Sequence, residues 1–337
     1  MEMCGENFIT YNKVTGNSST GIYHYYGLDD QITDNEVTFN GRYGIDNEYG
    51  FPVLIARNKV TDNSDTGIYE DSYGGYQNKV KKNNVRRNGG YGIYVYESAK
   101  IVRNTVRENE SDGIYADYAG MIMYNVVTDN KGSGIYVNDY NCFIEGNTVD
   151  GNLGDYGIQS YGYGAQVLNN TVTDNDGDGI LNDDDSAIIT QNLCDNNGGD
   201  GIVPYYDSVV VTDNTSTNNG GLGIYSDDYG VLIANNLVKG NGSDGIYNDY
   251  QTMIRDNRVK ANDGDGITNV YYCIVKNNIV KNNAGDGIDA SGNSGSIIKY
   301  NTALGNGDGT KTFDLKDDDP KDDYWKGNTR NTYSWKK

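Results

Sequence analysis

Six carboxylates, Asp174, Asp176, Asp178, Asp183, Asp184 and Asp185, crowd the stretch DNDGDGILNDDD, with acids at its first, third, fifth and twelfth places and Gly179 at the sixth. That order is close to a helix-flanked calcium loop, in which alternating oxygen ligands surround a sharp glycine turn. The flanking segments QVLNNTVT and DSAIITQN read as strands, so the helices that such a loop requires are absent. A weaker cation reading remains. Asp112, Asp178, Asp200, Asp244, Asp265 and Asp286 each precede a Gly-Ile pair. Carboxylates stacked at the ~4.8 Å strand spacing repel unless cations, protons or bonded backbone groups lie between them. Calcium is thus the cofactor this chain could take, strongest around Asp174 to Asp185, although none is required.

Two further residue sets could recognise a ligand. Tyr23, Tyr69, Tyr94, Tyr115, Tyr136, Tyr225 and Tyr247 directly follow a Gly-Ile pair, and alternation turns them outward if the isoleucine points inward. Tyr26, Tyr49, Tyr73, Tyr118, Tyr140, Tyr206, Tyr229, Tyr250 and Tyr271 lie in the segment after that strand, often beside Asp. An exposed phenol and carboxylate surface suits sugar rings or a protein partner, while tyrosines that only shield strand edges are the plainer alternative. Against this acidic background stands a basic belt of Lys79, Lys81, Lys82, Arg86, Arg87, Lys100, Arg103 and Arg107, suited to an anionic polysaccharide or an acidic neighbouring subunit. A solvated face would look the same. Cys142, Cys194 and Cys273 read as buried free thiols, and His24 is the only histidine.

These residues are positioned by a repeat. Gly-Ile pairs recur thirteen times, from Gly21 to Gly287, at spacings of 21 to 25 residues. A second signature, Asn-x-small-x-x-Asn, recurs in step with it from Asn12 to Asn301, and a β-branched residue stands three places before each opening Asn. Each unit therefore holds three short strand-like pieces separated by Gly, Asn and Asp turns. A unit of about 22 residues with no helix cannot bury its apolar positions alone, but stacked copies line a continuous interior with Ile and Val. The asparagines fit as corner ladders, tolerating left-handed backbone while their amides bond to the copies above and below.

Units such as NTVTDNDGDGI resemble those of the right-handed parallel β-helix repeat family, and the resemblance covers nearly the whole chain. It implies an all-β, single-stranded right-handed parallel β-helix of about fourteen coils over 1–306. The segment FDLKDDDPKDDYWKGNTRNTYSWKK is similar to the closing tail of such proteins, making 307–337 an acidic loop and cap. Related β-helix folds host lyases, hydrolases and uronate epimerases, so the family alone does not decide activity. The Gly-His-Gly of the hydrolase type and the Asp-Pro-His of the epimerase type do not occur here. For a lyase, the basic belt flanks the Asn-x-Val strand, whereas Glu70, Asp71, Glu97 and Asp117 follow the Gly-Ile strand on another side of each coil.

Composition narrows the partners. A formal charge of −21 repels phosphate backbones and anionic membranes, which argues against nucleic acid. No apolar run approaches the ~20 residues of a membrane span, and MEMCGENFIT shows no signal peptide. The expected role is a non-catalytic extracellular or cell-surface scaffold, its leader removed, presenting a Tyr/Asp face to a glycan or a partner protein. The alternatives are a calcium-dependent lyase or epimerase, and end-to-end self-association through exposed strand edges.

Overall fold

The computed structural model describes residues 6–72, 78–97, 99–118, 120–138, 140–269, 272–291, 295–308 and 310–335. Tyr73, Tyr271 and Cys4 fall outside these residues. The chain is an all-β, right-handed parallel solenoid of about 13 turns of about 22 residues, with no helix among the described residues. It divides into two compact units, residues 1–166 and 167–337.

Within each unit the turns carry three short strands, and these pair in parallel with their counterparts one turn later. In the first unit, Lys100–Val102 of a first strand lies beside Met121–Met123, which lies beside Phe143–Glu145. In the second unit, Leu232–Ala234, Met253–Arg255 and Ile274–Lys276 follow one another in the same way. Second strands such as Asn84–Arg86 and Thr105–Arg107, and third strands such as Ile93–Val95 and Ile114–Ala116, repeat this register. Equivalent residues therefore form files at the strand spacing, about 4.8 Å apart.

The two-residue period of a strand separates the files into inward and outward sets. Ile55, Val80, Ile101, Ile122 and Ile144 occupy one inward file at 1% exposure or less. Burying each such side chain contributes about 1.5–3 kcal/mol relative to leaving it in water. Cys142, Cys194 and Cys273 are buried and in no disulfide, and burial pushes the Cys194 thiol far above the usual range.

Two asparagine ladders hold the corners on either side of the second strand. Backbone N and Nδ2 of Asn83 both donate to Oδ1 of Asn104, at 2.9 and 3.0 Å, and Asn104 donates likewise to Asn125. The second unit repeats this with Asn214, Asn236 and Asn257. The expectation of left-handed backbone at these asparagines needs correction. The left-handed residue is the one before, as at Asp34, Arg57, Lys82, Arg103 and Tyr124, all with φ between 56° and 59°. The asparagine side chain must point inward to reach its neighbour, so the preceding residue turns the chain and projects outward. This puts long charged and aromatic side chains in a conformation usually left to glycine or asparagine.

From residue 307 onward the chain is not only a loop. Leu315–Lys316 and Tyr324–Lys326 pair with Ile288–Asp289 and Ile297–Lys299, extending the third and first sheets of the second unit. Trp325 Nε1 donates to Asp317 Oδ2 at 2.7 Å, and its ring lies 4.8 Å from that of Trp335.

Candidate binding site

The tyrosines that follow Gly-Ile form a ladder. Tyr69, Tyr94, Tyr115 and Tyr136 stack with centroids 4.6 to 5.0 Å apart and planes within 10°, and Tyr43 continues the stack beyond Tyr69. Their faces are spent on one another, so they present edges and hydroxyls rather than flat platforms. They are half-buried, whereas Tyr23 is exposed. Tyr225 and Tyr247 lie 5.5 Å apart and tilted. Exposed aromatic faces belong to the turns instead: Tyr118, Tyr140, Tyr229 and Tyr250 are exposed, and the last two stack at 5.2 Å.

Two shallow grooves open where these turns enter the first sheet. In the first unit Met121 and Phe143 floor a groove of about 370 Å³, with Tyr140, Asn141 and Gln166 around it. In the second unit Leu232, Met253 and Ile274 floor a groove of about 590 Å³, with Gln251 and Tyr272 around it. Both have the same construction: outward apolar side chains of successive first strands, and a turn tyrosine standing at the edge. Tyr140 is 67% and Tyr272 49% exposed.

The six acids of 174–185 do not gather into one cluster. Asp174 and Asp176 sit on an exposed corner, Asp178 opens the third strand, and Asp183, Asp184 and Asp185 lie at that strand's far end and in the next turn. Asp184 Oδ1 accepts the amide of Asp185 at 2.7 Å, and Asp185 Oδ1 accepts that of Asp207 at 2.9 Å. The acids before Gly-Ile are held by backbone amides. Oδ1 of Asp178, Asp200, Asp244 and Asp265 accepts the amide of Asp200, Leu222, Asp265 and Asp286 respectively, at 2.6 to 2.7 Å. Among the described residues, carboxylates converge at Asp265, Asp286 and Asp289, whose oxygens lie within 4.8 Å of one another. Lys316 Nζ reaches Asp289 at 2.8 Å and Asp286 at 3.3 Å, so an ammonium already balances this group. Burial, reinforced by Asp244, Asp286 and Asp289, pushes the Asp265 carboxyl up to about 6.

The basic belt splits between two sheets. Lys81 points outward from a first strand, and Lys82 and Arg103 occupy left-handed corners, the Arg103 guanidinium 5.9 Å from the Tyr124 ring. Arg86 and Arg107 face outward side by side on second strands. Arg87 is engaged: it makes a two-pronged contact with Asp62 at 2.7 and 2.9 Å and lies 3.7 Å from Glu108, which Arg107 also approaches at 3.7 Å.

Register reveals a second belt that reading along the chain missed. Lys239, Lys260 and Lys281 are strand neighbours on the second sheet of the second unit. Arg255, Lys276, Lys299 and Lys326 are neighbours on its first sheet. These residues lie about 20 apart in sequence, so no local cluster announces them, and only alignment by repeat brings them together.

A third group is buried. His24 Nε2 lies 2.6 Å from Asp30 Oδ2, and its Nδ1 lies 2.5 Å from Asn47 Oδ1. Asn47 Nδ2 donates to Glu70 Oε1 at 3.1 Å, which also accepts Asn78 Nδ2 at 2.7 Å and the Ser72 hydroxyl. Glu70 faces inward with Oε2 unpartnered, so it cannot meet a substrate, and burial pushes its carboxyl up to about 7. On the outer face, Asp46 lies in register between Tyr23 and Tyr69, covered, with Oδ1 unpartnered. Burial, with Glu48 and Asp71 adding to it, pushes Asp46 up to about 7.

The model of the family described as "Right handed beta helix region" matches residues 2–124, 112–253 and 230–317. No curated protein matches the sequence. Among solved structures, the Dettilon tailspike protein is similar at TM-score 0.61 and 13% identity, over 82% of this chain and 62% of that one. This chain therefore spans less than two thirds of the tailspike chain. The periplasmic alginate epimerase AlgG gives TM-score 0.49 at 16% identity, covering 84% of this chain and 77% of its own. The A-module of an Azotobacter vinelandii mannuronan C-5 epimerase gives 0.49 at 13%, covering 92% and 89%. At these identities the likeness concerns fold.

Proposed function

The chain belongs to the right-handed β-helix family, and we propose that it serves as a non-catalytic scaffold that binds a glycan in the grooves beside its first sheet. One observation carries this reading: in each unit, an exposed tyrosine stands at the edge of a floor of outward apolar side chains. A flat aromatic face beside an apolar strip matches the alternation of C–H and hydroxyl surfaces on a sugar ring, and nearby Asn141, Gln166 and Gln251 offer amides to the hydroxyls. The reading carries with it an extracellular or cell-surface location, which fractionation of the expressing cell tests.

The groove residues need no metal, so binding should persist in a chelator. Glycan-array screening followed by calorimetry supplies the test, using wild type, Tyr140→Ala and Tyr272→Ala. Loss of one ring's contact at about 1 kcal/mol lowers affinity roughly fivefold at its groove. Binding that is unchanged in both variants, or that disappears with chelator, rejects the reading; the second result favours a calcium-dependent site.

A further inference from the structure

The second unit carries two sets of unneutralised charge that share one repeat. On its first and second sheets stand Lys239, Lys260, Lys281, Lys276, Lys299 and Lys326, like beside like on adjacent strands. At the strand end and in the turns leaving its third sheet stand Asp183, Asp185, Asp207, Asp227, Asp228 and Asp249, spread over four successive turns. The ion pairs of this unit, among the described residues, are Arg255 with Asp256 and Lys316 with Asp286 and Asp289. Neither set is used to neutralise the other within the chain.

Stacked like charges destabilise the surface that bears them, and the strain is visible on the acidic side. After burial, the neighbouring Asp227, Asp207 and Asp185 add to the rise of the Asp228 carboxyl above its ordinary value. Opposite charges brought alongside would relieve both sets. Because strand spacing fixes the pitch of each row, a lysine row and an aspartate row advance by the same ~4.8 Å per turn and stay in step over several turns. A partner with that pitch and the opposite sign is available in another molecule of this protein.

We propose that the basic rows of the second unit dock on the acidic turns of the second unit of another copy, the strands of both running in the same direction. The contact joins two different surfaces, so it is heterologous, and the pair keeps one free surface of each sign, one on each copy. Association then propagates sideways into open assemblies instead of stopping at a symmetric pair. The charge of −21 opposes approach at long range, whereas the pairs act within a few ångströms. At about 0.15 M salt the screening length of ~8 Å suppresses the first more than the second, and at 1 M the ~3 Å length weakens both. Assembly is therefore strongest at intermediate salt.

Two charge-reversed proteins test this: one with Lys260→Glu and Lys281→Glu, the other with Asp227→Lys and Asp249→Lys. All four positions are half-buried, and circular dichroism confirms that each variant keeps its strands. Sedimentation velocity at about 0.15 M salt should show concentration-dependent assembly of the wild type, at least tenfold weaker self-association of each variant alone, and restored association in their equimolar mixture. A wild type that stays monomeric to its solubility limit overturns the proposal, as does assembly unaffected by both reversals. It is overturned equally if the wild type takes up a soluble polyuronate at these lysines while remaining monomeric.

Discussion

The two units are built on one repeat yet handle charge in opposite ways. In the first, four outward cations meet an acid one turn away, Arg57 with Asp34, Lys59 with Glu36, Arg87 with Asp62 and Lys131 with Glu110, all between 2.5 and 2.8 Å, while Arg86 and Arg107 stand side by side. In the second, Lys239, Lys260 and Lys281 stand in a row with no such ion pairs among the described residues. The interiors differ as well. The first unit begins with a buried chain from Asp30 through His24 and Asn47 to Glu70, whereas the corresponding inward positions Ser226 and Asn248 in the second unit carry no ionisable group. A solenoid makes every outward position a file, so one substitution per turn decides whether a face neutralises itself or stays available to a partner.

The largest expected effect tests whether the shared frame is truly shared. Asn104 accepts both donors of Asn83 and donates to Asn125 and to the Val80 carbonyl; Asn236 does the same with Asn214, Asn257 and the Val211 carbonyl. Asn104→Ala and Asn236→Ala each strand several buried polar groups, at about 1–3 kcal/mol apiece, so each should cost roughly 3 kcal/mol or more. Urea unfolding of the two variants should give equal losses. A difference of more than about 1 kcal/mol would show that the ladders are not equivalent.

The buried chain of the first unit predicts a pH effect that belongs to Glu70. The Glu70 carboxyl, ordinarily 4.5, is raised to about 7 in the fold. Below 4.5 it is protonated in both states and contributes no pH dependence; between 4.5 and 7 the unfolded chain ionises while the fold does not. Glu70 thus draws stability down as pH rises through that window, and the loss levels off above 7. Two and a half units correspond to on the order of 3 kcal/mol for a fully buried group. Glu70→Gln should match wild type near pH 4.5 and exceed it by up to that amount near pH 8. Parallel pH curves for the two proteins would refute the assignment.

Much of the fold was legible because periodicity is local information repeated many times. The Gly-Ile pairs and the Asn-x-small-x-x-Asn signature locate all three strands, and inward Ile101, Val106 and Ile114 follow from alternation alone. The site was less legible, for two physical reasons. Stacking consumes surface: Tyr69, Tyr94 and Tyr115 do turn outward, but each ring hides its face against the next turn, which a single repeat does not display. Neighbourhood in a solenoid also lies about 22 residues away, so the belt around Arg87 looked richer in free charge than the row from Lys239 to Lys281. Asp62, 25 residues back, is what engages Arg87. Listing each turn beneath the last would have exposed that pair and the lysine row together.

The smallest effect bears most directly on the charge contrast. Arg87 is a member of a self-neutralised file, and its pair with Asp62 is exposed, so Arg87→Ala should lower Tm by only about 1–2 °C at low salt. Salt screens that pair, and at 1 M the difference from wild type should vanish. Lys281 has a like charge beside it at Lys260 and, among the described residues, no ion pair with an acid, so Lys281→Ala removes repulsion. Its Tm should stay level or rise by up to about 1 °C at low salt, under dilute conditions where copies do not meet. The two substitutions remove the same formal charge, which cancels the contribution of the overall field and leaves the local one. Opposite signs of the shift at low salt, converging at high salt, sustain the contrast between the units. Should Lys281→Ala destabilise as Arg87→Ala does, the row must already be neutralised within the chain, and its availability to a partner is lost.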